Sequence, residues 1–168
     1  MQTILKILEY AMMMEKQGQQ FYLTYKDEVE GKRFQEIFTS LARVEEEHYT
    51  LLKKQYDLMK QEGTLGTFDA ELSQGADIFE RVLRQEQAMK DPEADQSLNN
   101  LAILRMAYLI EKDFADFYKK AVEQADSPEA KKLLTSLAAW EEKHRQMFYA
   151  DYQELMEVNW GEQGFAPF

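Results

Sequence analysis

Residues 41–48 read LARVEEEH, and residues 137–144 read LAAWEEKH. Both stretches end in the same pattern, a glutamate three residues before a histidine, as in Glu45 and His48. On a helix, residues three apart lie on one face about one turn apart. The chain has two histidines in all, His48 and His144, and they are 96 residues apart. The repeated pattern therefore predicts two copies of one helical unit.

The composition is typical of a globular protein of one domain. The chain has 168 residues, of which 45% are hydrophobic and 30% are charged, enough to bury a sizeable core. No apolar run approaches the ~20 residues of a membrane helix. The first residues, MQTI, lack the basic segment of a signal peptide, so a cytoplasmic location is expected.

Cysteine content and charge exclude several kinds of site. Without cysteine the chain forms no disulfide, thiolate zinc site or cysteine-held iron–sulfur cluster of its own. The formal net charge of −11 and the pI near 4.7 disfavour binding to nucleic acid or to an anionic membrane. The same charge is compatible with metal cations as ligands.

Helical periodicity predicts an all-α protein with four long helices, since apolar residues recur every three or four positions. The predicted helices are residues 3–28, 32–62, 97–125 and 128–157, which form hairpins 3–62 and 97–157. A crossover, residues 63–96, joins the hairpins and contains a short helix at about residues 74–89. The bundle is expected to span residues 1–158, and the tail, residues 159–168, to be irregular.

Capping residues support these boundaries. The expected signals are Thr3, Ser97 and Ser127 as N-caps, Pro128 at a first helical position, Gly31 in a turn and Gly63 as a C-cap.

Each helix carries an apolar stripe that is interrupted by polar residues near its middle. The interrupting residues are Glu15, Glu45 with His48, Glu111, and Glu141 with His144. Glutamates of one predicted hairpin are equally far from its turn, about 22 Å along each helix. If the crossover runs the length of the bundle, the turns lie at opposite ends, and all six groups converge at the centre.

Four buried carboxylates need positive charge nearby, because even one unpaired buried ion costs several kcal/mol. Two divalent cations carry the balancing charge. Oxygen and imidazole ligands without thiolate favour iron or manganese, with zinc as an alternative. Single glutamates from two helices with Glu-x-x-His from the other two form the di-iron carboxylate pattern of ferritin-like bundles.

Other polar and sulfur-containing residues near these positions have simpler interpretations. Single Glu-x-x-His patterns are common on solvated helices, so the prediction depends on the repeat. Flanking residues Glu46, Glu47 and Glu142 are expected to be solvated, and Met12, Met13 and Met14 to pack rather than to bind haem. Tyr22 and Tyr118 lie two turns beyond the single glutamates. They either hydrogen-bond to the ligand carboxylates or simply fill the core.

The motifs resemble the rubrerythrin branch of the ferritin-like superfamily. The matching stretches are EKQGQQFY at 15–22, LARVEEEH at 41–48, EKDFADFY at 111–118 and EEKH at 141–144. The resemblance covers both hairpins. It implies a four-helix bundle with two iron ions that react with peroxide or dioxygen, and a homodimer.

Two departures from that family pattern matter. Rubrerythrins with a rubredoxin-like domain hold iron with four cysteines, so here electrons are expected from a separate donor, such as a rubredoxin or a small reductant. A seventh ligand, a glutamate one turn from Glu111, is also missing, because Ala107, Tyr108, Phe114 and Ala115 occupy those positions. Ferroxidase activity with iron storage, and metal binding without turnover, therefore remain alternatives.

Overall fold

The structure is a computed structural model that describes residues 2–69 and 92–161, together with Glu80, Arg81 and Arg84. Its helices are α1 (Gln2–Tyr25), α2 (Lys32–Glu62), α3 (Pro92–Asp95), α4 (Leu98–Gln124) and α5 (Pro128–Trp160). The long helices α1, α2, α4 and α5 form the predicted all-α four-helix bundle, whereas α3 is a single turn. None of the described helices combines the length and the apolar character needed to cross a membrane.

The two hairpins point in opposite directions, as predicted. The turn between α1 and α2 lies against the start of α4, where Asn100 accepts a hydrogen bond from the Glu30 amide (2.7 Å) and donates one to the Glu30 carbonyl (2.8 Å). At the other end, Ile4 of α1 and Met59 of α2 line the same cavity as Ser127, in the turn between α4 and α5. The middles of all four long helices therefore lie at one level.

Most of the predicted caps are present. Ser97 and Ser127 accept hydrogen bonds from the Asn100 amide (3.2 Å) and the Ala130 amide (3.1 Å). Gly63 ends α2 in the left-handed conformation, with φ 75°, and its amide donates to the Met59 carbonyl. These caps satisfy backbone groups that a helix terminus leaves without partners.

Three predicted boundaries are wrong. The first helix begins at Gln2, so Thr3 is inside α1 rather than its cap. It ends at Tyr25 instead of residue 28, because the chain turns to bury Val29, which is 1% exposed. The last helix runs three residues further than predicted, to Trp160, which packs against the core.

Two apolar clusters occupy the two ends of the bundle. One contains Tyr22, Phe38 and Phe148, whose rings lie 5.3–6.0 Å apart between centroids. The other contains Leu52 and Tyr118 together with side chains from all four long helices. A layer of buried polar side chains separates the clusters, at the level where the sequence predicted the interruptions.

A second buried polar contact joins the hairpins away from this layer. Arg33, at the start of α2, forms an ion pair with Asp151 of α5, and both side chains are 6% exposed. At the opposite end, the Gln55 side-chain oxygen accepts a hydrogen bond from the Gly66 amide (2.8 Å), which holds the beginning of the crossover against α2.

Parts of the crossover and tail predictions lie outside the described residues. Of the short helix predicted at residues 74–89, the structure describes Glu80, Arg81 and Arg84, which are helical. The turn α3 was not predicted at residues 92–95. Residues 162–168 of the predicted tail are not described.

Candidate metal centre

Each long helix contributes to the central polar layer. Glu15 comes from α1, Glu45 and His48 from α2, Glu111 from α4, and Glu141 and His144 from α5. His48 is 3% exposed and the other five are fully buried. The structure thus brings together all six residues that the sequence singled out. Their role as metal ligands stays a prediction.

The two histidines face the same carboxylates from opposite sides. His48 Nδ1 lies 3.3 Å from Glu15 Oε2, 3.3 Å from Glu141 Oε1 and 3.7 Å from Glu45 Oε2. His144 Nδ1 lies 3.4 Å from Glu111 Oε2, 3.3 Å from Glu141 Oε2 and 4.0 Å from Glu45 Oε1. In both histidines, Nδ1 is therefore the ring nitrogen placed to bind an ion.

These contacts define two overlapping groups of four residues. One group is Glu15, Glu45, His48 and Glu141, and the other is Glu45, Glu111, Glu141 and His144. Within each group the ligand atoms lie within 4.8 Å of one another. Glu45 and Glu141 belong to both groups, whereas Glu15 and Glu111 belong to one each. Two carboxylates common to both groups and one further, terminal carboxylate in each group form an arrangement that could hold a pair of ions.

The two tyrosines bind the terminal carboxylates across the hairpins. Tyr22 of α1 donates a hydrogen bond to Glu111 Oε1 on α4, and Tyr118 of α4 donates one to Glu15 Oε1 on α1. Both phenols are fully buried. The structure therefore decides between the alternatives for these residues, because each phenol holds a carboxylate as well as filling space.

The hydrogen bonding of the four glutamates leaves room for cations. Three of their eight oxygens are bonded, to Tyr22, Tyr118 and His48. The other five make no hydrogen bond: both oxygens of Glu45, both of Glu141, and Glu111 Oε2. Unsatisfied buried polar atoms are rare and need an explanation. Metal ions supply one, since these hard oxygen atoms and the two imidazoles are suitable ligands for iron, manganese or zinc.

The pKa values of the central residues also indicate that the buried carboxylates need positive charge or protons nearby. Burial, reinforced by the charges of Glu141 and Glu15, raises the pKa of Glu45 well above its usual value. Burial also raises the pKa of Glu111 to about 7, against the opposing effect of His144. Burial alone would lower the pKa of His144, but the charges of Glu111 and Glu141 raise it to about 9. These raised pKa values favour proton binding, which reduces the net negative charge of the centre when cations are absent.

The pKa values of two further central groups shift in opposite directions. The pKa of Glu141 falls, because the hydrogen-bonding influence of His144 and His48 outweighs burial. The pKa of His48 rises, because burial is outweighed by Glu15, Glu141 and Glu45. The raised pKa values of both histidines favour the protonated imidazolium form in the protein without metal.

The family model described as Rubrerythrin matches residues 6–152, which include both hairpins and all six central residues. The chain belongs to the rubrerythrin family. The ferritin-like fold and the recognition of the family from the motifs are confirmed, and membership implies iron binding. No curated protein and no solved structure matches the chain.

Trp140 lies next to the candidate metal centre, and the sequence analysis did not identify it as a neighbour. Its ring is T-shaped against His48, with centroids 5.8 Å apart, and lies 6.3 Å from the ring of His144. The residue 96 positions earlier is Val44, so the repeat gave no signal for an aromatic side chain here. The only available hint was its position directly before Glu141.

The flanking carboxylates pair with cations outside the centre. Glu46 lies 2.6 Å from Lys16, and Glu142 lies 2.9 Å from Lys119 and also contacts Arg145. Neither belongs to the two groups of four. Glu47 also lies outside both groups. Of the methionine run, Met14 is buried, Met12 packs against the cluster that contains Leu52, and Met13 is 48% exposed.

Phe114, one of the four residues about one turn from Glu111, lies close to α1 beside the centre. A Cβ atom at Gly18 would lie 3.0 Å from the Phe114 ring and 3.6 Å from the Glu45 carboxyl carbon. Gly18 therefore lets the ring approach α1 closely beside the centre. Gly18 and Phe114 are 96 residues apart and therefore occupy equivalent positions of the repeat. The two copies thus differ at this position.

Proposed function

We propose that this rubrerythrin-family protein is a non-haem di-iron protein that reduces hydrogen peroxide or dioxygen. The observation that carries the proposal is the pair of four-residue groups that share Glu45 and Glu141. A single structural cation would need one such group. Two groups with common carboxylates support two ions held close together, which is the arrangement suited to two-electron chemistry.

The six central residues would hold the ions. Glu15 with His48, and Glu111 with His144, would each bind one ion, and Glu45 and Glu141 would bind both. When bound, a ferrous pair supplies two electrons, the number that reduces one peroxide molecule with two protons to two waters. Manganese or zinc could occupy the same ligands but would not provide the same electron chemistry.

The protein's own contribution is to orient ligands and exclude water. Tyr22 and Tyr118 each hold one oxygen of a terminal glutamate, which leaves the second oxygen facing the histidines. Burial and the neighbouring carboxylates raise the pKa of both phenols well above the usual value, so they remain protonated donors. The apolar clusters at either end of the bundle keep bulk water away from this layer.

The proposal includes partners and assembly. Because the chain has no cysteine, a separate donor, such as a rubredoxin or a small reductant, would return electrons to the centre. A cytoplasmic homodimer is the proposed form. Exposed apolar side chains such as Met106 (38%) and Leu109 (40%) are compatible with contact between two copies.

Stopped-flow mixing of the di-ferrous protein with peroxide, and separately with dioxygen, tests the activity. We expect oxidation faster than that of free ferrous iron with at least one oxidant. Glu141→Gln should abolish this acceleration, whereas Glu142→Gln, a change of the neighbouring carboxylate outside the centre, should retain it. No acceleration by the unaltered protein with either oxidant would refute the proposal and favour metal binding without turnover.

The alternative of ferroxidase activity with iron storage predicts a different assembly. Storage requires a hollow shell of many subunits that retains mineral iron. Light scattering of the iron-loaded protein distinguishes a dimer from a shell. A shell-sized particle that retains many iron ions per chain would replace our proposal with the storage function.

A further inference from the structure

A groove on the surface between α1 and α4 has features of a ligand site that the metal centre does not require. It has a volume of about 400 Å³ and is lined by Tyr10, Phe117, Lys6, Lys120 and smaller side chains. None of its described lining residues is acidic. Its size lies within the range of small-molecule sites, roughly 300–1,000 Å³.

Aromatic rings connect the groove with the metal centre. Tyr10 is 50% exposed, and its ring centroid lies 5.0 Å from that of Phe117. The Phe117 centroid lies 5.2 Å from that of Tyr118. Tyr118 in turn donates its hydrogen bond to Glu15. An occupant of the groove would therefore lie two side chains away from a proposed ligand of the ions.

The two copies of the repeat differ at this surface. The residues 96 positions from Tyr10, Lys6 and Lys120 are Met106, Ala102 and Thr24, respectively. Two lining residues are the same in the other copy: Ile7 corresponds to Ile103, and Phe117 corresponds to Phe21, whose ring lies 5.4 Å from that of Tyr22. The aromatic connection is thus common to both copies. The lysines and the exposed tyrosine are found on one side only, so the repeated fold does not account for them.

The charges favour a small anion over an acidic protein. The chain carries a formal net charge of −11, which would repel an acidic macromolecule. Screening limits that repulsion to about 8–10 Å, so a small anion inside the groove interacts mainly with Lys6 and Lys120. Neither lysine forms an ion pair with a carboxylate in the described part of the chain, although Lys120 lowers the pKa of nearby Asp116.

We propose that this groove binds a flat aromatic molecule that carries an anionic arm. The ring system lies against Tyr10 and Phe117, and the anionic arm lies between the ammonium groups of Lys6 and Lys120. Flavin mononucleotide, with an isoalloxazine ring and a phosphate, has this chemistry and serves as the probe.

A role for such a ligand as electron donor rests on the proposed function, but its binding does not. A fully reduced flavin loses two electrons and two protons to become the oxidised flavin. Those two electrons match the one-electron reduction of each of two ferric ions. The connection through Phe117 and Tyr118 offers a short path from the groove to Glu15.

Binding of oxidised flavin mononucleotide to the metal-free protein tests the site independently of iron chemistry. Quenching of flavin fluorescence gives the affinity. Lys6→Glu/Lys120→Glu should weaken binding at least about fivefold, because the charge at both positions is reversed, and Phe117→Leu should weaken it by loss of ring contact. Riboflavin, which has no phosphate, should bind more weakly than the mononucleotide.

Matched controls come from elsewhere in the chain. Lys53→Glu/Lys112→Glu makes the same change in net charge away from the groove, and Phe21→Leu alters the counterpart ring. Both should bind the mononucleotide as the unaltered protein does. Helical circular dichroism confirms that each variant is folded.

Several results would overturn the proposal. One is the absence of saturable binding. Another is that riboflavin binds as tightly as flavin mononucleotide. A further one is that the groove variants and the control variants change the affinity equally. The last is a dimer whose contact covers Tyr10 and Phe117, which hydrogen–deuterium exchange of the unaltered protein would detect. Failure of the di-ferrous protein to react with oxidants would leave the binding result unaffected.

Discussion

Tyr22 on α1 donates a hydrogen bond to Glu111 on α4, and Tyr118 on α4 donates the equivalent bond to Glu15 on α1. Each hairpin thus orients the terminal carboxylate of the other. Because α1 and α4 are antiparallel, a tyrosine two turns beyond its own helix's glutamate reaches the level of the opposite one. The contact couples the packing of the hairpins to the positions of the predicted ligands.

Removing one of these phenols should weaken one of two metal sites. In Tyr22→Phe, Glu111 loses the donor that fixes its orientation, and affinity at the site of His144 should fall about 10–100-fold. Titration with manganese(II) under anaerobic conditions measures both affinities. Tyr25→Phe, one turn further along α1, should change neither. Equal affinities in Tyr22→Phe and the unaltered protein would contradict this role.

Substitution of a glutamate that belongs to both groups of four should remove more metal than substitution of one that belongs to a single group. Glu141→Gln alters both groups of four, so the protein should lose both ions. Glu15→Gln alters one group, so about one ion per chain should remain. Elemental analysis after equilibration with iron(II) and removal of excess metal gives the ratio. Equal loss in the two variants would argue against the sharing.

Stability should depend on pH in opposite directions with and without metal. In the metal-free protein, the pKa of Glu111 is raised to about 7 and that of His144 to about 9. The contribution of Glu111 is lost as pH rises from its unfolded value towards 7, and that of His144 as pH rises from its unfolded value towards 9. The metal-free protein should therefore melt at a lower temperature at about pH 8 than at about pH 6.

Bound metal should reverse this trend, because protons compete with the ion for the same carboxylates and imidazoles. Thermal melts with a chelator and with excess zinc, at both pH values, provide the comparison. A metal-free protein that becomes more stable towards alkaline pH would show that the central protonation is assigned wrongly.

The buried ion pair between Arg33 and Asp151 should contribute strongly to folding. Asp151→Ala removes this ion pair and leaves the buried Arg33 charge less well compensated, so it should lower the free energy of unfolding by about 3–5 kcal/mol. Arg33→Met/Asp151→Leu, which removes both charges, should lose much less. Urea denaturation measures both values. Asp57→Ala, which breaks an exposed pair with Lys53, should cost below about 1 kcal/mol.

Trp140 should report on occupation of the centre. Its ring contacts both histidines, so binding of cobalt(II) or iron(II) should quench its fluorescence. The second tryptophan, Trp160, lies at the end of α5, about five and a half turns beyond Trp140. Trp160→Phe should therefore retain most of the quenching and Trp140→Phe should lose most of it. If Trp160→Phe lost the quenching and Trp140→Phe retained it, the ion would have to bind elsewhere.

The repeat made the centre predictable from sequence, because it doubled every signal. Glu45 and His48 alone are an ordinary surface pattern, but their recurrence at Glu141 and His144 fixed both the helix faces and the level in the bundle. Features without a counterpart were missed. Trp140 corresponds to Val44, and Arg33 and Asp151 correspond to Glu129 and Gln55, so no second copy pointed to their contacts.

Helix ends were less predictable because tertiary contacts decide them. Local pattern allowed the first helix to continue to residue 28, yet burial of Val29 ends it at Tyr25. The side chains of Asn99 and Asn100, from the other hairpin, bind the backbone of Glu28 and Glu30. Residues 70 or 71 positions away in sequence thus contact this turn, and local propensity contains no information about them.

Each hairpin supplies three residues of one group of four and a single carboxylate of the other group, Glu45 from the first hairpin and Glu141 from the second. A pair of identical, unlinked hairpins would assemble the same six groups by ordinary twofold symmetry. In the single chain the two halves need not be identical, and they differ at Gly18 against Phe114 and at Tyr10 against Met106.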